Sequence, residues 1–296
     1  MKNIIELKNI KKQYKGFEFD IPEFGLPEGF AVSVIGENGA GKSTFLDILA
    51  GLNYEYKGEI TYFGKNSSAD DAGVREKIGY TSPGSFFVPT WRASQIPQIC
   101  SMLFDGFDEQ KYNKYCDEFA VFPDGVKQSE KKISAFSDGN IMRLMIAVVL
   151  ARDTDILIMD EPASPLDPLM RDKLCDCIRD YLDRGDGKKS VIFSTHNISD
   201  MESVTDYAVI MAGGKIAEQG FTEDLKEKYI LVKGELSDLE KVKDHMYTYS
   251  ENRFGFEGLC LAEDLDRLAG TDISMETPTL HQISTAVMKK HTSLKG

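Results

Sequence analysis

The chain has 296 residues, 42% hydrophobic and 28% charged, ordinary globular values that leave room for one large or two modest domains. Its formal charge of −13 argues against nucleic acid or anionic lipid as the main partner, because both reward basic surface. Five cysteines, an odd number without framework spacing, suit free thiols in a reducing cytosol; Cys175 and Cys177, a C-x-C within a helical pattern with no second ligand pair nearby, read as buried or neutral cysteines rather than a zinc site.

The first residues lack the uninterrupted apolar run of a signal peptide. The longest apolar stretch, Leu144 to Ala151, is far short of the ~18 residues that suggest a membrane span. The expected product is soluble and internal, with any membrane role supplied by a partner. The glycosylation-like matches at Asn66 and Asn197 then carry no meaning.

Alternation at Ile5-Glu6-Leu7 and Phe17 to Ile21 predicts short strands joined by turns. An apolar strand from Phe30 to Ile35 leads into Gly36-Glu37-Asn38-Gly39-Ala40-Gly41-Lys42-Ser43-Thr44, and an apolar helix from Phe45 to Ala50 follows. This fits G-x-x-x-x-G-K-[ST] in the strand-loop-helix context that the chemistry needs. Glycines let successive backbone N–H groups point at phosphate oxygens, and the helix adds its positive N-terminal end. Lys42 is placed to reach the β- and γ-phosphates, and Ser43 to put its hydroxyl on Mg²⁺.

Further strands are expected at Gly58 to Phe63 and Ile78 to Thr81, the second ended by Pro83-Gly84. From about Thr90 to Leu150 the spacing is helical, and Ile141 to Ala151 is apolar nearly all round, as in a buried helix. Phe136-Ser137-Asp138-Gly139-Asn140 heads that helix; it suits an ordinary N-cap and equally an anion site.

Ile156 to Met159, Val191 to Ser194 and Tyr207 to Met211 read as three strands with helices between them. Apolar strands alternating with helices predict an α/β parallel sheet covered on both faces. Asp160 and Glu161 emerge at the carboxyl edge of the first strand, where open α/β sheets bind ligands, and His196 emerges at the same edge of the second. Asp160 would hold Mg²⁺, and Glu161 would orient or deprotonate the water that attacks the γ-phosphate. Past about Thr222 the chain turns charge-dense, with an apolar run at Tyr229 to Val232 and a basic end at Met288-Lys-Lys-His-Thr. This predicts a small α+β C-terminal appendage.

The order and spacing of these motifs resemble the ATPase subunits of ABC transporters over roughly residues 3–222. By that resemblance, 36–44 is the P-loop, 136–140 the ABC signature, 156–161 the Walker B strand with its catalytic glutamate, and His196 the switch histidine. Ser164-Pro165-Leu166-Asp167 is the D-loop, and Tyr14 the aromatic that stacks on adenine. It implies a RecA-like P-loop NTPase core with an N-terminal antiparallel β subdomain and an inserted helical subdomain at about 84–150. Residues 1–222 would form the ATPase domain and 223–296 an accessory one. It also implies Mg²⁺-dependent ATP hydrolysis in a head-to-tail homodimer or heterodimer, each ATP held by one P-loop and the other subunit's Ser137 and Gly139.

The span from Phe104 to Ile133 and the end Thr277-Pro-Thr-Leu280 look like the exporter-type (ABC-2-like) subgroup. The expected role is export through a separate membrane permease, with the chain cytoplasmic on the inner face of the membrane. Residues from about Phe86 to Leu103 would receive the permease's coupling helices or serve as subdomain core. Rival readings are a soluble ABC ATPase acting on ribosome or DNA, and a degenerate ATP-binding partner in a heterodimer. Two departures stand out: L-S-G-G-Q has become F-S-D-G-N, and the Q-loop glutamine is replaced by Ser82-Pro83-Gly84, with Ser82 and Ser85 the nearest hydroxyls and Gln95 too far downstream.

Overall fold

The computed structural model describes residues 2–65, 71–84, 86–123, 129–268 and 270–291. It opens with an antiparallel sheet in which β1 (Asn3–Tyr14) lies between β2 (Phe17–Pro27) and β4 (Lys57–Tyr62). These strands run longer than the local alternation suggests, because the β1–β2 pairing continues from Tyr14↔Phe17 back to Asn3↔Pro27.

The main sheet has six strands. At its centre is β3 (Ala31–Ile35), buried at every residue and paired in parallel with β7 (Ser190–Thr195) and β8 (Tyr207–Ala212). Outward from β7 lie β6 (Ile156–Met159) and β5 (Ile78–Thr81), both parallel. The other edge, β9 (Lys215–Phe221), runs antiparallel to β8. The parallel reading therefore holds for five strands and is corrected for the sixth. A two-glycine turn at Gly213-Gly214, both at positive φ, lets the chain fold straight back from β8.

Helices cover both faces, and the period-two alternation of the strands decides which side chain meets which layer. Ile156, Ile158 and Ile192 point to the layer of α1 (Lys42–Leu49), whose Phe45, Leu46, Ile48 and Leu49 fill the space beneath the antiparallel sheet. On that side a short α2 (Ala72–Glu76) leads into β5. Leu157, Met159, Val191 and Phe193 point the other way. There they meet the layer of α3 (Ile96–Leu103), α4 (Glu109–Glu118), α5 (Asp138–Leu150) and α6 (Pro168–Asp183). Between β7 and β8 the expected helix reduces to two 3₁₀ turns, Ile198–Asp200 and Glu202–Val204.

After α7 (Thr222–Lys228) comes a four-stranded antiparallel sheet. Its strands are β10 (Tyr229–Gly234), β11 (Met246–Asn252), β12 (Gly255–Leu261) and β13 (Ile273–Glu276), in the order β11-β12-β10-β13. One face is closed by α8 (Leu236–Val242) through Leu239 and Val242. On the other, α9 (Leu280–His291) lays Leu280, Ile283 and Val287 against Leu231 and Leu259, and also against Ala208 and Ile210 of the main sheet. The appendage thus shares a core with the main sheet. Among the described residues, no helix is long and apolar enough to cross a membrane.

Candidate nucleotide site

The buried run of β3 delivers the chain to the loop at 36–44, and glycine makes the turn possible. Gly39 and Gly41 sit at φ 83° and 103°, in the left-handed region that side chains avoid, and a Cβ on Gly36 would stand 2.8 Å from the Met211 carbonyl oxygen. Gly36 and Ala40 are buried while Glu37, Asn38 and Gly39 are exposed. α1 begins at Lys42 itself, three residues earlier than the apolar pattern suggests, so the loop runs directly into the helix N-terminus. Ser43 is exposed on its first turn and Thr44 half-buried.

Lys42 is only 6% exposed, and its ammonium folds back over the loop. Its Nζ donates to the Gly36 carbonyl at 2.8 Å and the Glu37 carbonyl at 3.3 Å, and lies 3.4 Å from Glu161 Oε1. The acidic edge comes from β6. Asp160 is 3% exposed, and its N–H donates to the Thr81 carbonyl at 2.8 Å, continuing the sheet one residue past the strand. Glu161 then turns sharply, with φ at 47°, a left-handed conformation costing a non-glycine residue about 1–3 kcal/mol. That turn aims its carboxylate at β7, where His196 Nδ1 stands 2.7 Å from Glu161 Oε2.

Ser194, one strand across, ties the two acids together. Its hydroxyl donates to Asp160 Oδ1 and accepts from the Glu161 N–H at 2.9 Å. Sequence reading did not find this residue: a serine inside an apolar strand carries no local signal, and only the neighbouring register of β6 and β7 exposes it.

Tyr14 ends β1 at 36% exposure; its hydroxyl accepts from Asn53 Nδ2 at 3.3 Å, and Lys12 Nζ lies 5.2 Å from its ring centroid. Phe17, 6.0 Å from Tyr14 between ring centroids, reaches within 3.2 Å of where a Cβ on Gly41 would stand, so this aromatic pair borders the loop. Ser137 caps α5, accepting from the Asn140 N–H at 3.3 Å. Gly139 faces the Pro165 carbonyl, and Asp167 caps α6 by accepting from the Met170 N–H at 3.1 Å. Among the described residues, no hydrogen bond joins Ser137 or Gly139 to the loop at 36–44. The structure brings Lys42, Asp160, Glu161 and His196 together and borders them with Tyr14, while Ser137 and Gly139 make only local contacts at the start of α5 and with Pro165.

Beyond β5, Pro83 and Gly84 are exposed, and Ser85 lies outside the described residues. Gln95 is engaged locally, its side-chain oxygen accepting from the Arg92 N–H at 2.8 Å. Tyr80 instead links this strand to the P-loop helix, its hydroxyl donating to Asp47 Oδ1 at 2.6 Å; burial raises its pKa.

Residues 19–164 match the ABC transporter family. An uncharacterised ABC transporter ATP-binding protein of Bacillus subtilis is 31% identical over 76% of this chain and 73% of its own length. The chain belongs to the ABC transporter family, as an ATP-binding subunit. A Nod factor export ATP-binding protein of Rhizobium etli is 28% identical over 70% of this chain and 64% of its own length. Among solved structures, a dimeric ATP-binding cassette in a post-hydrolysis state with ADP and Pi matches with a TM-score of 0.62. It is 23% identical and covers 73% of this chain and 98% of that one, a likeness of fold.

Proposed function

We propose that this chain is the ATP-hydrolysing subunit of an ABC exporter, driving a membrane permease encoded as a separate polypeptide. The observation that carries the catalytic part is the Glu161 carboxylate, held at the sheet's ligand edge between His196 Nδ1 and Lys42 Nζ. ATP phosphates would take the loop N–H groups and draw Lys42 from its two carbonyl partners, exchanging neutral acceptors for anionic ones. Glu161 would then be released from Lys42 to accept a proton from the attacking water, with His196 orienting it and contacting the γ-phosphate. Tyr14 would stack on the adenine.

The edge suits magnesium. Ser43 offers an exposed hydroxyl, and Asp160 keeps one carboxylate oxygen outside its Ser194 bond. These are few, hard oxygen donors, the set Mg²⁺ takes when phosphates and water supply the rest. When bound it would neutralise charge on the β- and γ-phosphates.

Ser137 and Gly139, not hydrogen-bonded to their own P-loop, are the groups we assign to a second cassette's ATP, so that two subunits close head-to-tail. Residues 1–222 would form the ATPase unit, with 84–150 its helical subdomain, and 223–296 an accessory unit of unassigned role. Export draws its support from the Nod factor export relative and from the subgroup features of the sequence. Docking on a permease would place the chain on the cytoplasmic face of the membrane. The Ser82-Pro83-Gly84 departure favours a second reading, a slow cassette paired with a different one in a heterodimer.

The test is ATP turnover of the isolated subunit, compared with the same subunit reconstituted with its membrane permease. A low basal rate that rises with the permease is expected. Equal rates contradict coupling of hydrolysis at this site to a permease.

A further inference from the structure

Between α3, β5 and the end of α5 lies a cavity of about 510 Å³, walled largely by apolar side chains including Phe86, Trp91, Ile99, Leu103 and Val148. Its charged lining residues are Arg75 and Arg152, with no carboxylate among them, in a chain whose net charge is −13. Arg152, two residues past α5, is 8% exposed, and its guanidinium carbon sits 3.7 Å above the Phe104 ring centroid. Its Nη2 donates to the Arg75 and Glu76 carbonyls at 3.1 and 3.2 Å, closing the C-terminal end of α2. Its Nε is buried without a hydrogen-bond partner, and the Glu76 carboxylate acts on the guanidinium only as a nearby charge. Desolvation accordingly lowers its pKa. A buried guanidinium with an unused donor and a charge only partly offset by Glu76 is costly, and an incoming anion would relieve that cost.

We propose that this groove receives an apolar segment of the membrane partner that carries a carboxylate, and that the carboxylate docks on Arg152. This rests on the reading of the chain as a permease-bound cassette and adds the chemistry by which the partner is chosen. Apolar walls supply contact area. The arginine supplies discrimination, because its unused Nε and positive charge favour an ionised carboxylate over a neutral amide.

Trp91 is the chain's single tryptophan and lines the groove, so its emission reports occupancy directly. The full-length protein is titrated with short capped amphipathic helical peptides bearing a Leu/Phe stripe and one central Glu, and with the same peptides carrying Gln or Lys there. The Glu peptide is expected to shift Trp91 emission at concentrations roughly tenfold or more below the others. Arg152→Gln, checked for folding by circular dichroism, should erase that preference while apolar binding persists. Equal binding of the Glu and Gln peptides to the wild-type protein overturns acid recognition and leaves the docking reading standing. No emission change with any peptide overturns the docking reading and this inference together. A shift that arises from protein concentration alone, with doubled mass by light scattering, puts a second copy in the groove and also overturns the proposal.

Discussion

Glu161 is tied at both carboxylate oxygens: Oε2 lies 2.7 Å from His196 Nδ1 and Oε1 lies 3.4 Å from Lys42 Nζ. Three elements that are far apart in sequence, the P-loop helix, β6 and β7, meet at this one side chain. The left-handed backbone at Glu161 is what turns the carboxylate out of the strand and toward both partners.

His196→Ala removes one of those ties and leaves the P-loop intact. Turnover should fall roughly ten- to a hundredfold, less than on losing the base itself, while ATP affinity stays within a few-fold. Parallel ATPase and nucleotide-binding titrations check this. A loss of binding equal to the loss of turnover would show that the histidine acts on the ground state instead.

Gly139→Ala tests the signature turn. Its Cβ would stand 2.7 Å from the Pro165 carbonyl oxygen, a backbone atom that cannot swing aside, so α5 or the D-loop must shift. A destabilisation of about 1–3 kcal/mol is expected. ATP binding to the monomer should persist, while turnover falls severalfold because the surface offered to a second subunit has moved. Unchanged turnover would mean that this surface takes no part in hydrolysis.

The motif-bearing parts of the site were legible because each has a sequence signature tied to one backbone requirement. Glycines at 39 and 41 meet left-handed turns, and the four-residue apolar run before Asp160 meets a strand buried at every position. Ser194 and the Tyr80–Asp47 bond were not legible, since both depend on which strand or helix lies alongside. β9 was missed because its half-exposed pattern lacks the apolar signal of its neighbours. The return of α9 to the main sheet depends on Leu280, Ile283 and Val287, whose spacing shows a buried face but not the surface that buries it.

Alkali should weaken the fold. Burial pushes the thiol of Cys100 up to about 11 and those of Cys116 and Cys177 up to about 12, from an ordinary 9.0. Burial also raises Tyr80 and Tyr112. Between the ordinary and raised values the unfolded chain releases protons that the folded chain keeps. Stability is therefore intact below about 9 and declines as pH rises toward the folded values. Urea midpoints should hold up to about pH 9 and fall between about pH 9 and about pH 11, and alkylation of the thiols near neutrality should require denaturant. Fast labelling of native protein would contradict the burial of these cysteines.

The most direct test of the account is ATP turnover and ATP binding measured side by side in Glu161→Gln. The amide keeps the size of the side chain and cannot take a proton from water. Turnover should drop by about a hundredfold or more while ATP binding is retained, since general-base assistance is typically worth ~10²–10⁴. ATP with Mg²⁺ should then shift the variant from monomer toward dimer in light scattering, because a ligand that bridges two subunits stabilises the pair. Turnover in Glu161→Gln equal to that of the wild type would contradict the assignment of the base, and with it the catalytic reading of this site.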